Sequence, residues 1–141
     1  MKLSEMKRDM AAVEQGTWIG DKYGTPIPGM GDLCFKTRGQ GNADWRALES
    51  KLIAAVPMQR KISGLTPSDR DAITGKCLLE ACILDWSGID DEEGKPVVYS
   101  RAQAELFFTD PQYSSVRDAA LFAASLVGTS TAAALEADAK N

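Results

Sequence analysis

The chain predicts a mainly α fold, about five helices with a small β-hairpin near the N-terminus, in a single domain leaning towards α+β. Three observations point there. Apolar residues recur at spacings of three and four through most of the chain after residue 42, which is the period of an amphipathic helix. Helix-starting residues precede these runs at Asn42, Thr66-Pro67 and Ser100. Two short β-prone runs, Thr17-Trp18-Ile19 and Leu33 to Thr37, flank a segment rich in glycine and proline that no helix tolerates.

Residues 3–15 read as a polar first helix, with Ser4 as its cap and Gly16 as its stop. Leu3, Met6, Met10 and Val13 form a thin apolar stripe that needs a surface to cover it, on its own domain or on a partner. Residues 1–16 are thus an arm, 17–128 a globular domain and 129–141 an alanine-rich tail with the composition of a frayed helix. The hairpin is expected to lie against helices, since two strands alone are marginal.

Asn42 caps a second helix that runs to Val56, with Trp45, Leu48, Leu52 and Val56 on one face and Pro57 as its end. Thr66-Pro67 opens a third, whose apolar character extends through Leu78 to Trp86 with only Glu80 and Asp85 charged in that stretch. A helix apolar nearly all round belongs inside a domain. Gly75 costs that helix about 1 kcal/mol relative to alanine, so it signals close approach of a neighbouring helix. Asp90-Asp91-Glu92-Glu93-Gly94 must face water, because adjacent carboxylates lose too much solvation when buried. Ser100 and Gln103 make a capping box for a fourth helix that ends at Asp110-Pro111. Ser114 or Ser115 starts a fifth, lined by Val116, Ala119, Ala120, Ala123 and Val127 and closed by Gly128.

The chemistry is sparse. At 141 residues the chain can bury a core without staples. Its net charge of -4 argues against nucleic acid, which calls for a basic face. Without histidine, no Ser-His-Asp or Cys-His arrangement is possible within the chain. Cys34, Cys77 and Cys82 sit in apolar surroundings without metal-site spacing, and read as reduced, buried thiols. The contiguous carboxylates of 90–93 lack the spaced ligands of a calcium loop. No phosphate loop, dinucleotide fingerprint, signal peptide or membrane span stands out. The expectation is a protein with neither catalytic residues nor cofactor nor metal. The aromatic residues are what remains. Trp86 stands where its indole N–H meets a helix end, and Phe107 and Phe108, adjacent on one helix, are expected to leave one ring partly exposed.

From Ile83-Leu84-Asp85-Trp86-Ser87-Gly88-Ile89, through Asp91 and Gly94-Lys95-Pro96-Val97-Val98-Tyr99-Ser100, to the LFFTDP of 106–111, the chain resembles the tail assembly chaperones of long-tailed bacteriophages and prophages. These commonly carry an apolar helix ending in a D-W-x-G-like turn, then a D-x-x-G-K-P-like loop, a Y/F-S helix start and a D-P break. The segments Leu33 to Arg38 and Asn42 to Arg46 are similar more loosely. The likeness covers about residues 17–127 and is strongest over 83–111. It implies a non-enzymatic protein of the host bacterial cytoplasm that binds the tape measure protein, keeps it soluble and helps bring tail tube subunits to it. Such a protein leaves before the virion is complete, so it is absent from the mature particle. The partner-binding surface is then expected around the fourth and fifth helices, at Trp86, Tyr99, Leu106, Phe107, Phe108, Leu121 and Phe122. A structural virion component, such as a head–tail connector or minor tail subunit, is the main alternative, and a small regulatory enzyme subunit a distant third.

Overall fold

The computed structural model describes residues 1–129. The expected tail helix therefore falls outside the described residues, apart from Thr129. The first helix is not continuous. A 3-10 turn at Leu3–Met6 is followed by extended backbone at Lys7 and then α1 (Met10–Gln15). The break has a tertiary cause. The Arg8 guanidinium turns inward and donates to the carbonyls of Val127 (2.9 Å), Ala124 (3.3 Å) and Gln40 (2.7 Å). Two of these lie at the C-terminal end of the last helix, where carbonyls have no partner within the helix. Asp9 then caps α1 through Ala11 N–H and Ala12 N–H, while its own N–H donates to Gly128 O at 2.7 Å. The arm is therefore strapped to its own domain. Val13 is buried in that contact, whereas Leu3, Met6 and Met10 remain exposed.

The hairpin forms as expected: β1 (Thr17–Gly20) pairs antiparallel with β2 (Cys34–Thr37). A third strand, β3 (Ile83–Ser87), adds to the other edge of β2, giving the order β1-β2-β3. This overturns the mainly α expectation. Six α-helices and a three-stranded antiparallel sheet, among the described residues, make an α+β fold, and the apolar stretch from Leu78 to Trp86 divides between helix and strand.

The physical reason is a bulge. Thr37 pairs with Ile83 and Lys36 with Asp85, so Leu84 is an extra residue opposite neither. Ile83 and Trp86 are both buried as a result, although they are three apart. That spacing imitates a helical turn. The chain leaves the helix because partners for its backbone are waiting: Arg38 N–H donates to Cys82 O (2.9 Å), and the buried Asn42 amide donates to Ala81 O (2.7 Å). Ile19, Phe35 and Trp86 pair in one row across the sheet and face the helices.

The remaining helices are α2 (Ala43–Ala54), α3 (Met58–Ile62), α4 (Pro67–Ala81), α5 (Arg101–Thr109) and α6 (Ser114–Leu126). The short α3, started by Pro57, is an addition to the five expected. The caps lie where local chemistry puts them: Asn42 accepts from Trp45 N–H, Thr66 from Asp69 N–H and Ser100 from Gln103 N–H. The small Ala119, Ala120, Ala123 and Ala124 let α6 lie close against the core, and it meets both β1 and β2. Phe107 and Phe108 are both buried, against the expectation that one would be exposed. Adjacent residues on a helix diverge by about 100°, and the core wraps around α5 far enough to receive both.

Gly75 marks the close helix contact that its cost implied. A β-carbon there would overlap the Phe108 carbonyl oxygen at the end of α5, and backbone cannot swing away as a side-chain tip can. Gly75→Ala is therefore expected to destabilise the protein by about 1–3 kcal/mol, overpacking outweighing the roughly 1 kcal/mol gain in helix propensity. Urea unfolding followed by circular dichroism measures the balance; a stabilised variant would contradict the packing.

Candidate functional site

At the end of β3 the chain turns sharply. Gly88 has φ +82°, and any β-carbon there would run into the Asp32 carbonyl, so only glycine fits. The acidic segment that follows is a built structure. Asp91 N–H donates to Lys95 O (2.8 Å), Val97 N–H to Ile89 O (2.8 Å), and Asp90 bridges to Pro96. The Asp91 carboxylate accepts from Glu93 N–H and Lys95 N–H, both at 2.9 Å. One acid thus folds the turn from inside. Asp90 and Glu92 are left exposed with no hydrogen-bond or ion-pair partner among the described residues.

Trp86 ties this loop to the core. Its indole N–H donates to Val97 O at 2.7 Å, and its ring meets Tyr99 (4.9 Å), Phe107 (5.2 Å) and Phe108 (6.4 Å) between centroids. Phe107 passes the contact on to Tyr113 at 5.2 Å. Edge-to-face geometries of this kind contribute about 0.5–1.5 kcal/mol each beyond the area they bury.

Between the loop, the segment before β2 and helices α5 and α6 lies a groove of about 560 Å³. That is within the roughly 300–1,000 Å³ range of ligand-binding clefts. Its apolar lining comes from Met30, Leu33, Ile89, Val97, Phe107, Tyr113 and Val116; its polar lining is Asp90, Asp91, Glu92 and Gln103. Among the described residues, neither lysine nor arginine lines it.

Of the residues expected to meet a partner, Phe107 lines the groove directly. Trp86 and Phe108 are buried in the core behind it, and Tyr99 is half-buried against Trp86. Leu106 and Phe122 are exposed and Leu121 half-buried, all three outside the groove lining. The residues that sequence reading missed are Met30, Leu33, Ile89, Val97, Tyr113 and Val116. Ile89 and Val97 carry the one local signal: apolar residues on both flanks of an exposed acidic turn.

Among the described residues, no three acidic or sulfur groups converge closely enough to hold a metal ion, and no helix is long and apolar enough to cross a membrane. Cys77 and Cys82 are buried. Burial pushes Cys77 up from 9.0 to about 12, and Cys82 to about 11 against the lowering pull of its Thr37 hydrogen bond and of Arg38. Both are protonated, weak nucleophiles at neutral pH. Because the folded values exceed the unfolded one, their protonated forms stabilise the fold fully below about pH 9, and that contribution is lost as pH rises through 11 to 12. Native protein at pH 8 should react slowly with a thiol reagent such as dithionitrobenzoate at both positions, and unfolded protein fast; rapid native modification of Cys77 or Cys82 would contradict their burial.

Trp86→Phe should cost about 1–2 kcal/mol through the lost indole hydrogen bond and should speed amide exchange at Asp91 and Val97. Exchange in that loop equal to the parent's would show that Trp86 does not hold it.

A family model described as YdaY prophage protein matches residues 40–141, which takes in α2 to α6, β3 and the acidic loop. No curated protein and no solved structure matches the chain. The matched span is most of the chain and includes the whole loop-and-helix side of the groove. The chain belongs to the YdaY family of prophage proteins.

Proposed function

We propose that this prophage protein is a tail assembly chaperone that binds the tape measure protein and keeps it soluble while the tail is built. The observation that carries the proposal is the groove: a largely apolar lining, open to solvent, joined by the carboxylates of the loop that Trp86 ties to the core. A tape measure protein is long and helical and exposes apolar surface before it is packed. Apolar side chains of such a helix enter a cleft of this kind as anchors. The cleft has room for a few side chains and not for a whole helix, so each engagement is weak. A dissociation constant of about 1–100 µM, or roughly 5–8 kcal/mol, suits a protein that must let go.

The resemblance over 83–111 supports the same reading. Ile89, Asp91, Val97 and Phe107 belong both to that pattern and to the groove lining. On this proposal the protein is not an enzyme, works in the host bacterial cytoplasm without a cofactor, brings tail tube subunits to the tape measure and is absent from the finished virion.

Coexpression with the tape measure protein of the same prophage tests this. The chain should raise the soluble fraction of tape measure severalfold, and Val116→Glu, which puts a carboxylate on the groove wall, should abolish most of that gain while the variant stays folded. Unchanged tape measure solubility with the parent chain would overturn the proposal. So would recovery of the chain at fixed copy number from purified particles, which is the behaviour of a structural component.

A further inference from the structure

We infer that the groove selects its occupant by charge: it takes segments in which an apolar anchor is flanked by lysine or arginine, and it rejects equally apolar segments flanked by acids. The inference deepens the proposed function and rests on the groove being where polypeptide is held.

Asp90 and Glu92 stand on the rim with no ion-pair or hydrogen-bond partner among the described residues, while Asp91 is already used in folding the turn. The nearest cation on the loop, Lys95, lies 4.0 Å from Glu93 and outside the groove lining. Among the described residues the rim's negative charge is therefore uncompensated, and it lies beside Ile89 and Val97 in the groove lining. Carboxylates fixed beside an apolar cleft attract cationic side chains and penalise anionic ones, so they set partner choice more than total affinity.

A second, smaller groove between α2 and α4, of about 250 Å³, supplies the contrast. Leu52, Val56 and Ile73 line it together with Arg60, Lys76 and Asp69, and Arg60 pairs with Asp69 at 3.3 Å. With Arg60 paired to Asp69, Lys76 leaves that lining with one net positive charge, so it does not share the preference for cations.

The test uses two synthetic amphipathic peptides with one apolar face, built on the repeats LKKLLKL and LEELLEL, and the full-length protein labelled with nitrogen-15. The lysine peptide should bind, with shifts at the Trp86 indole N–H and at the amides of Ile89, Val97 and Val116. Its affinity should fall as salt rises from about 50 to about 300 mM. The exposed pair of changes Asp90→Asn and Glu92→Gln, which disturbs no contact of the fold, should weaken it roughly 3- to 20-fold, the range for two partly exposed ion pairs. The glutamate peptide should bind at least tenfold more weakly to the parent and regain affinity on the double variant.

Equal binding of both peptides, unmoved by the double variant, would overturn charge selection and leave polypeptide holding intact. Binding of neither, while tape measure is still kept soluble in coexpression, would place the held segment elsewhere and overturn the inference alone. Failure of both assays would overturn inference and proposed function together. A dimer in sedimentation whose interface covers Val116 and excludes the peptides would assign the groove to a second copy instead.

Discussion

The hydrogen bond from the Trp86 indole to the Val97 carbonyl is the point at which sheet, helix and loop become one structure. Trp86 is placed by the bulge at Leu84, which turns it to the same face as Ile83. From there its ring reaches Phe107 and Phe108 on α5 and Tyr99 before it. Its N–H fixes the far strand of the acidic turn. Together with the Val97–Ile89 backbone bond and the packing of both residues on the core, that tie holds the four consecutive acids in place. There they form the rim of a cleft.

Local chemistry was readable in the sequence, and contacts between distant segments were not. Asn42, Thr66 and Ser100 start their helices because their side chains meet backbone N–H groups three residues on. Gly16 and Asp110-Pro111 end theirs for reasons equally local. The strand at Ile83–Ser87 was hidden because its bulge gives two buried residues a helical spacing, and the partner that makes it a strand is β2, far upstream. The break before α1 was hidden for the same kind of reason, since Arg8 is drawn to carbonyls more than a hundred positions away. The candidate site followed suit. Phe107 and the exposed acidic turn were legible, but nothing in a single sequence joins Met30 and Leu33 to Tyr113 and Val116 across one groove.

The YdaY match begins at residue 40, between β2 and α2. The matched region contains β3, but the strand that β3 pairs with comes from the residues before it. In this chain the first 39 residues therefore supply the central strand of the sheet, the hairpin partner β1 and two apolar contributors to the groove. They also supply the Arg8 and Asp9 contacts that hold the end of α6. The groove is a joint product of both parts, with the acidic rim and the aromatic wall on the matched side.

On the proposed function, an unfinished helical partner rests its apolar side chains between the acidic loop and α6. A photo-crosslinking amino acid at position 116, on the groove wall, reads this directly in cells assembling tails. The expected result is a crosslink to the tape measure protein that appears before tails mature and is lost from finished particles. Crosslinks only to another copy of this chain, or none to tape measure while assembly proceeds normally, would contradict it.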